Sequence, residues 1–482
     1  METGANGQMP LSNRVFLLLC VMAFIMYVDR TNISVVAPLL QKELQLTHTQ
    51  LGLVFSAFAT AYACCGVPGA WLSDRFGARR LLTISGLIWS AATIVTGLCY
   101  GLAAIVTARF FVGVGEAPIY ATAARVIATW IPEHRRGLAQ GVMHGSGRFA
   151  NALAPLIVTA LIVVLTWRFA FVALGVITIV FFAFLYRWFR DEPREHPSIT
   201  SGELAVLRPS GGQAMSARTL EPIVWPDLLR RVWPASAACF AHGWMLWFFL
   251  NWVPTYFSSR YGMKVESSAI FSTLVLLGGT LGTMLGGVLS DWHFRITRNR
   301  LRARRDVIIF GFLSSIVGLV PLLFSNNLAL NAAGLGLAFF LSELADSPLW
   351  LVGAEVAPKH AGTSSALTFA GMAVAGAVSP LIVGKLLDLT GGDWSAAFMA
   401  SIAVMILGPI FALFIRLDPA LGGDQPRPHA RAAQAPEVDP VIASVSEAIQ
   451  GLQRKPGLLR RKGSSQRRGE VWCKQAPRAR QQ

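Results

Sequence analysis

The sequence predicts an all-α membrane protein, with twelve transmembrane helices arranged as two pseudo-symmetric halves of six. Three observations predict it. Of 482 residues, 54% are hydrophobic and only 14% are charged, against roughly 25% charged in ordinary soluble domains. Apolar stretches near twenty residues long, about what an α-helix needs to cross the hydrocarbon core, recur from residue 14 to residue 416. A polar, proline-containing segment at 189–234 then divides those stretches six and six.

The first six stretches lie at 14–36, 50–72, 81–100, 103–124, 138–163 and 168–188, and form an N-terminal half over 1–188. The first is too long for a secretory signal and ends in no small-residue cleavage pattern, so the N-terminal segment is expected to be retained. Segment 189–234 reads as a cytoplasmic linker. Six more stretches, at 235–257, 268–290, 306–324, 331–354, 363–387 and 393–416, form a C-terminal half over 235–416. The tail, 417–482, mixes Pro, Gln, Ser and Arg with little apolar periodicity, a composition that cannot bury enough surface to order itself. It is expected to be a disordered basic cytoplasmic tail.

Loop charge sets the orientation, because cytoplasmic loops hold the excess of Lys and Arg. Arg75, Arg79 and Arg80 follow the second span, Arg135 and Arg136 the fourth, and Arg187, Arg190 and Arg194 the sixth. Six arginines between Arg295 and Arg305 follow the eighth, and Lys359 the tenth. The odd-numbered loops are poorer. Both termini are therefore expected in the cytoplasm, in the inner cell membrane. The net charge of +16 would suggest nucleic acid in a soluble protein, but topology accounts for it here. Five of the six cysteines lie in apolar runs and the sixth, Cys473, in the tail, so there is neither a disulfide framework nor a metal spacing.

An internal repeat links the halves. GAWLSDRFGARR (Gly69 to Arg80) follows the second span, and GGVLSDWHFR (Gly286 to Arg295) follows the eighth. Matching elements in two six-span halves mark duplicated transporters, with the substrate site between the repeats. Small glycines let helices approach closely. A carboxylate at Asp74 or Asp291 can then hold arginines or a neighbouring helix end as a cytoplasmic latch with Arg75, Gly77 and Arg79.

GAWLSDRFGARR resembles the loop signature of the major facilitator superfamily, and the order of motifs resembles its anion:cation symporter branch. That branch includes hexuronate, glucarate, galactonate and phthalate transporters and the vesicular sialic acid carrier. YVDRTNISVVAP in the first span, ARFFVGVGEAPIYATAARVIATWIP in the fourth, FLNWVPTYF in the seventh and SPLWLVGAEVAP in the tenth carry the same likeness. Ala70 departs from it, standing where the loop signature usually has a second glycine. The resemblance runs from about Val15 to Arg416 and excludes the tail.

The first span carries Asp29 and Arg30 side by side, and the fourth carries Arg109 and Glu116. An ionisable residue inside a span is a functional candidate by default. Asp29, Arg30 and Arg109 fall at similar depth; Glu116 follows Arg109 by two helical turns, on the same face and about 10 Å nearer the cytoplasm. Neighbours in sequence cannot share a helix face, so Asp29 and Arg30 each need a partner elsewhere. Read structurally, Asp29 pairs with Arg109 or Arg30 with Glu116 to lock helices. Read functionally, Arg30 and Arg109 hold a substrate carboxylate, because the guanidinium fork binds carboxylates in bidentate fashion. Asp29 and Glu116 then carry the coupling proton. The resemblance implies the same roles at the same four positions.

The remaining candidates for substrate contact are Tyr62 in the second span, His144 and Arg148 in the fifth, and Asn251, Trp252 and Tyr256 in the seventh. For His144 a packing role stands beside a proton relay, and for Arg148 helix-end pairing stands beside substrate contact. Trp247, Asn251, Trp252 and Tyr256 read as lining an outer vestibule or as an interfacial aromatic belt. Glu343 and Asp346 in the tenth span form an acidic pair on one face, outside the branch's usual pattern. Three readings of it stand open: balancing Arg148, binding a sodium ion, or meeting a positive group on the substrate. The eleventh span supplies Phe369 and Ala373 where similar proteins often have asparagines.

The leading expectation is a proton-coupled uptake carrier for a small organic anion, a sugar acid or other carboxylate, working by alternating access as a monomer. It needs no cofactor beyond the coupling ion, and no nucleic acid. Exchange or efflux of the anion is the alternative within transport, and a transporter-like anion receptor the alternative outside it. A membrane-embedded enzyme would need closely spaced His and acidic residues facing one cavity, which the sequence does not display, and a channel would not need two six-span halves each with a latch.

Overall fold

The structure, a computed structural model, describes residues 9–207 and 223–417, apart from the side chains of Val67, Ala70 and Asp74. The expected disordered tail, beyond Leu417, lies outside the described residues. Within them there are helices and no strand: α1 (Leu11–Leu44), α2 (His48–Phe76), α3 (Ala78–Leu98), α4 (Leu102–Glu116), α5 (Ile119–Trp130), α6 (Arg136–Val164) and α7 (Trp167–Trp188). After a short linker helix α8 (Ser201–Leu207) come α9 (Trp225–Tyr261), α10 (Val265–Thr297), α11 (Arg300–Leu319), α12 (Pro321–Phe324), α13 (Leu328–Glu343), α14 (Asp346–Glu355), α15 (Ala361–Leu389) and α16 (Trp394–Leu413).

These are the twelve expected spans, with the fourth made of α4 and α5, the ninth of α11 and α12, and the tenth of α13 and α14. Eleven are long and apolar enough to cross a membrane. The exception is the seventh, α9, which begins at Trp225, inside the segment expected to be linker, and is rich in Trp and Pro. Every residue of it from Ala241 through Phe257 is buried. A helix enclosed on all sides sits in a core rather than against solvent or lipid, and that position makes low hydropathy tolerable.

Proline punctuates the fourth and tenth spans in corresponding places. Pro118 follows Glu116, the last residue of α4, and Pro348 follows Glu343, the last residue of α13. A proline ring removes a helical hydrogen bond and clashes with the turn before it. Each break therefore falls beside a buried glutamate, both fully shielded from solvent.

Glycine brings the helices together. A Cβ at Gly113 would strike the Phe58 carbonyl and the Ala61 side chain, packing α4 on α2; one at Gly286 would strike the Leu344 backbone, packing α10 on the loop between α13 and α14. Between the halves, α2 packs on α15, α6 on α10 and α1 on α9. Every glycine contact between α2 and α15 falls on one side: Gly52 meets Pro380, Gly384 meets His48 and Thr49, and Gly376 meets Ala59. This is the far end, opposite the arginine-rich loops. Toward the basic end the helices part, and nothing lies within 4 Å of a Cβ built at Gly66 on α2 or at Gly137, Gly141 and Gly145 on α6. The bundle is closed at its far end and open at its basic end.

Candidate functional site

Arg30 projects from α1 into the space between the halves and pairs with Glu116, its Nη2 2.8 Å and its Nε 3.1 Å from Oε2. Its guanidinium stacks near three rings, 4.7 Å from Tyr27, 5.1 Å from Phe58 and 4.9 Å from Tyr62. The Arg30 side chain keeps 11% of its surface open, while Glu116 keeps none. Of the two pairings open from sequence, this one forms. Asp29 points the other way, as adjacent residues on a helix must: its Oδ2 accepts from Trp89 Nε1 at 2.8 Å and from Thr178 Oγ1 at 3.2 Å. Asp29 is fully buried against α3 and α7, on the side of α1 away from Arg30. Arg109, 2% exposed, lies over the same Phe58, 5.2 Å from its ring, and makes no ion pair among the described residues.

The fifth span supplies the matching cation from across the cavity. Arg148, on α6, reaches into the other half and binds both members of the acidic pair, Nη1 3.0 Å from Glu343 and Nη2 2.9 Å from Asp346. Of the three sequence readings for that pair, balancing Arg148 is the one the geometry displays. His242, which the sequence did not single out, completes the group: its Nε2 lies 3.2 Å from Asp346 and 3.7 Å from Glu343. No local sequence pattern marks it, a lone histidine within the enclosed stretch of α9. One nitrogen and two carboxylate oxygens here lie within 4.8 Å of one another, a metal-type donor set no sequence spacing announced.

A chain of rings links α5 and α6 to the C-terminal half. Tyr120 stacks on His144 with centroids 4.4 Å apart, His144 lies 6.3 Å from Trp350, and Trp350 stacks on Phe369 at 3.6 Å. His144 also meets Gln140 at 3.0 Å. Gly147 makes this close packing possible, since a Cβ there would lie 2.7 Å from the Tyr27 ring and 2.9 Å from the Tyr120 hydroxyl.

The seventh-span candidates lie elsewhere. Trp252 is fully buried, its ring 5.4 Å from Phe55 and 6.1 Å from Trp394; Tyr256 packs 5.2 Å from Trp394, and Asn251 is 6% exposed. Trp247 packs against Phe58 at 6.1 Å. Trp247 and Trp252 thus pack across the halves, Tyr256 packs within the C-terminal half, and none of them lies at an exposed belt. Of the two sequence readings the belt fails, because Trp and Tyr serve equally well in an interfacial belt and in a packed plug.

At the basic end the Asp74 carboxylate lies outside the described residues. The carboxylate the structure places at the latch is Asp191, whose Oδ1 accepts from the Arg79 backbone N–H at 2.7 Å at the start of α3. Gly77 turns the chain there with φ +82°, a conformation open to glycine. Arg79 Nε donates to the Tyr186 carbonyl, Arg125 to the Ser73 carbonyl, and Arg75 lies over Trp71. In the second half Asp291 pairs with Arg304 at 3.2 Å. A separate cleft of about 650 Å³ lies between α3 and α4, walled by Ile88, Val95, Ala104 and Phe111, and touches none of the buried charges.

Comparisons with known proteins agree with this architecture. The probable sulfoacetate transporter SauU of Cupriavidus necator is 37% identical over 410 residues, covering 85% of this chain and 94% of that one. The D-galactonate transporter of Escherichia coli is 30% identical, over 85% and 97%, and the hexuronate transporter of Bacillus subtilis 27% identical, over 83% and 94%. These relatives are those of the anion:cation symporter branch that the motifs resemble. A bacterial homologue of the human lysosomal transporter Spinster, in an inward-facing and occupied conformation, has the same fold with a TM-score of 0.69 at 18% identity, over 87% of this chain and all of that one. Residues 19–303 match the Major Facilitator Superfamily, and the chain belongs to that superfamily of multi-pass membrane transporters.

Proposed function

We propose that this protein is a secondary active transporter that takes up a small organic anion together with a proton across the inner cell membrane, by alternating access. The observation that carries the reading is the placement of Arg30 and Arg148. Both are mostly buried yet keep some open surface, Arg30 held by Glu116 and Arg148 by two acids of the other half, carboxylates that an anion can replace. A guanidinium grips a carboxylate or a sulfonate through paired N–H donors. Arg109, buried behind Phe58, adds positive potential to the same region.

Glu116 is the coupling group best supported by geometry. Protonating it removes the charge that holds Arg30, freeing the guanidinium for substrate; losing the proton restores the pair and expels the anion. Asp29, anchored by Trp89 and Thr178, acts behind it. In this reading the basic end is cytoplasmic, as the loop arginines require, and the conformation is inward-facing. The protein works as a monomer, with the proton as its coupling ion.

The names of the relatives support a carboxylate or sulfonate substrate. The Trp350–Phe369 stack supports a short one, since it puts apolar surface where a polyhydroxylated sugar acid would need hydrogen-bond partners. The test is uptake of sulfoacetate, D-galactonate and D-glucarate into proteoliposomes under an imposed proton gradient. Uptake that collapses with a protonophore, is lost in Arg30→Ala and becomes insensitive to the gradient in Glu116→Gln supports the reading. Uptake that depends on substrate inside the vesicle assigns exchange instead, and an anion bound but never accumulated assigns a receptor.

A further inference from the structure

The two charged groups are not equivalent in charge. In the first half two cations, Arg30 and Arg109, are balanced by two acids, Glu116 on Arg30 and Asp29 on the far side of α1. Around Arg148 one cation faces Glu343 and Asp346, and both acids are buried. A net negative charge shut away from water is expensive. The fourth member, His242, is fully buried, and neither of its ring nitrogens makes a hydrogen bond. Glu343 Oε1 and Asp346 Oδ1, the oxygens facing it, are likewise without hydrogen bonds. A single proton on the ring supplies the missing positive charge, with Nε2 already turned toward both carboxylates. A divalent metal ion suits the site less well, because Arg148 already offsets one of its two negative charges.

The repeat places this group where the first half places its own. In each half a residue midway along the first helix, Arg30 or His242, meets a glutamate at the break of the fourth, Glu116 or Glu343. We propose that His242, Glu343 and Asp346 form a second proton-binding site, in the C-terminal half, and that Arg148 links it to the substrate. This rests on the transport reading only for the link. While Arg148 holds the two carboxylates, one proton balances the site. When an incoming anion draws Arg148 away, the acids lose their counter-ion and take up a further proton from the open cavity, so anion and proton arrive together. Among the groups around the site, Thr283 of α10 donates to Glu343 at 2.8 Å. Cys239 of α9 and His144 of α6 lie near Asp346, and Tyr27 of α1 and Tyr120 of α5 near Arg148.

Infrared difference spectroscopy of the full chain in lipid nanodiscs, without ligand at neutral pH, tests the site itself. His242→Gln deprives the proton of its ring and is expected to gain the C=O band of a protonated carboxyl; His242→Gln/Asp346→Asn, neutral without a proton, is expected to lose it again. Size-exclusion profiles and an unchanged amide band confirm folding, and Arg148→Lys, which keeps the charge, should match the parent. A His242→Gln spectrum with no new carboxyl band overturns the proposal. The link is read with a pH dye in weak buffer on adding sulfoacetate or D-galactonate. A proton taken up for each anion bound, with the uptake missing in Glu343→Gln/Asp346→Asn, supports it; binding without proton uptake overturns it. If the carboxyl band is gained but neither anion binds, the proton site stands and the transport reading fails instead.

Discussion

His48 and Asp388 stand 340 residues apart, on opposite halves, and are joined at the far end of the bundle. Asp388 Oδ1 accepts from the His48 backbone N–H at 2.9 Å and lies 3.0 Å from its Nδ1, while Oδ2 accepts from the Thr49 N–H at 2.8 Å. A carboxylate from α15 thus caps the exposed start of α2, where helix N–H groups and the helix dipole favour negative charge. The bond exists only while the far end is shut.

Removing this cap should release the far end. Asp388→Ala is expected to cost the closed form about 1 kcal/mol, the usual value of a helix N-cap, shifting the balance of conformers roughly fivefold. Electron–electron distance measurements between spin labels at Gln50 and Lys385 should show a longer population growing in the variant. An unchanged distribution would mean that the apolar seal alone holds the end closed.

Asp29 makes a different prediction for stability. Its carboxylate satisfies Trp89 and Thr178, so Asp29→Ala leaves a buried indole N–H without an acceptor, at about 1–3 kcal/mol. Asp29→Asn keeps an acceptor oxygen and should cost clearly less. Thermal unfolding of the solubilised protein compares the two, and equal losses would show that charge, not hydrogen bonding, matters there.

Gly371 tests the packing inside the C-terminal half. A methyl group there would run into the Ser236 carbonyl and come within 3.1 Å of the Phe240 nitrogen, both backbone atoms of α9. Gly371→Ala is expected to destabilise by about 1–3 kcal/mol through overpacking. Gly141→Ala, with open space around it, should be neutral or stabilising by up to about 1 kcal/mol. Matching melting temperatures for the two variants would contradict this picture.

The linker predicts a pH dependence. Glu203 of α8 accepts from the Leu11 N–H at 2.6 Å, at the start of α1, and from the Thr200 hydroxyl at 2.9 Å. Partial burial opposes its charge, but the bonds from Leu11 and Thr200 outweigh that and hold its carboxyl below the usual range. A depressed folded value means the fastening is fully present above the ordinary glutamate value of about 4.3 and fades as pH falls through the folded one. Because the group is partly solvated, the effect should stay below about 1 kcal/mol. The melting temperature of the parent should therefore fall more steeply in acid than that of Glu203→Gln, and parallel curves would refute it.

Much of the architecture was legible because crossing a membrane constrains local sequence. The spans, the repeat around the second and eighth helices, and the candidacy of Asp29, Arg30, Arg109, Glu116, Glu343 and Asp346 follow from the cost of polar groups in hydrocarbon, which marks each residue where it stands. The seventh span was the weak point. Its Trp252 and Tyr256 read as surface aromatics, and His242 drew no notice, because a helix enclosed by other helices is released from the lipid rule that makes composition informative.

The sequence by itself determined how many times the chain crosses, where it turns and which charges must find partners. Only the tertiary structure decided the partners: Glu116 for Arg30, Trp89 and Thr178 for Asp29, the opposite half for Arg148, and Asp191 for the start of α3. The reason is physical. Burial cost is a property of one residue in its own helix, whereas pairing depends on angles and separations between helices far apart in the chain, which no local pattern encodes.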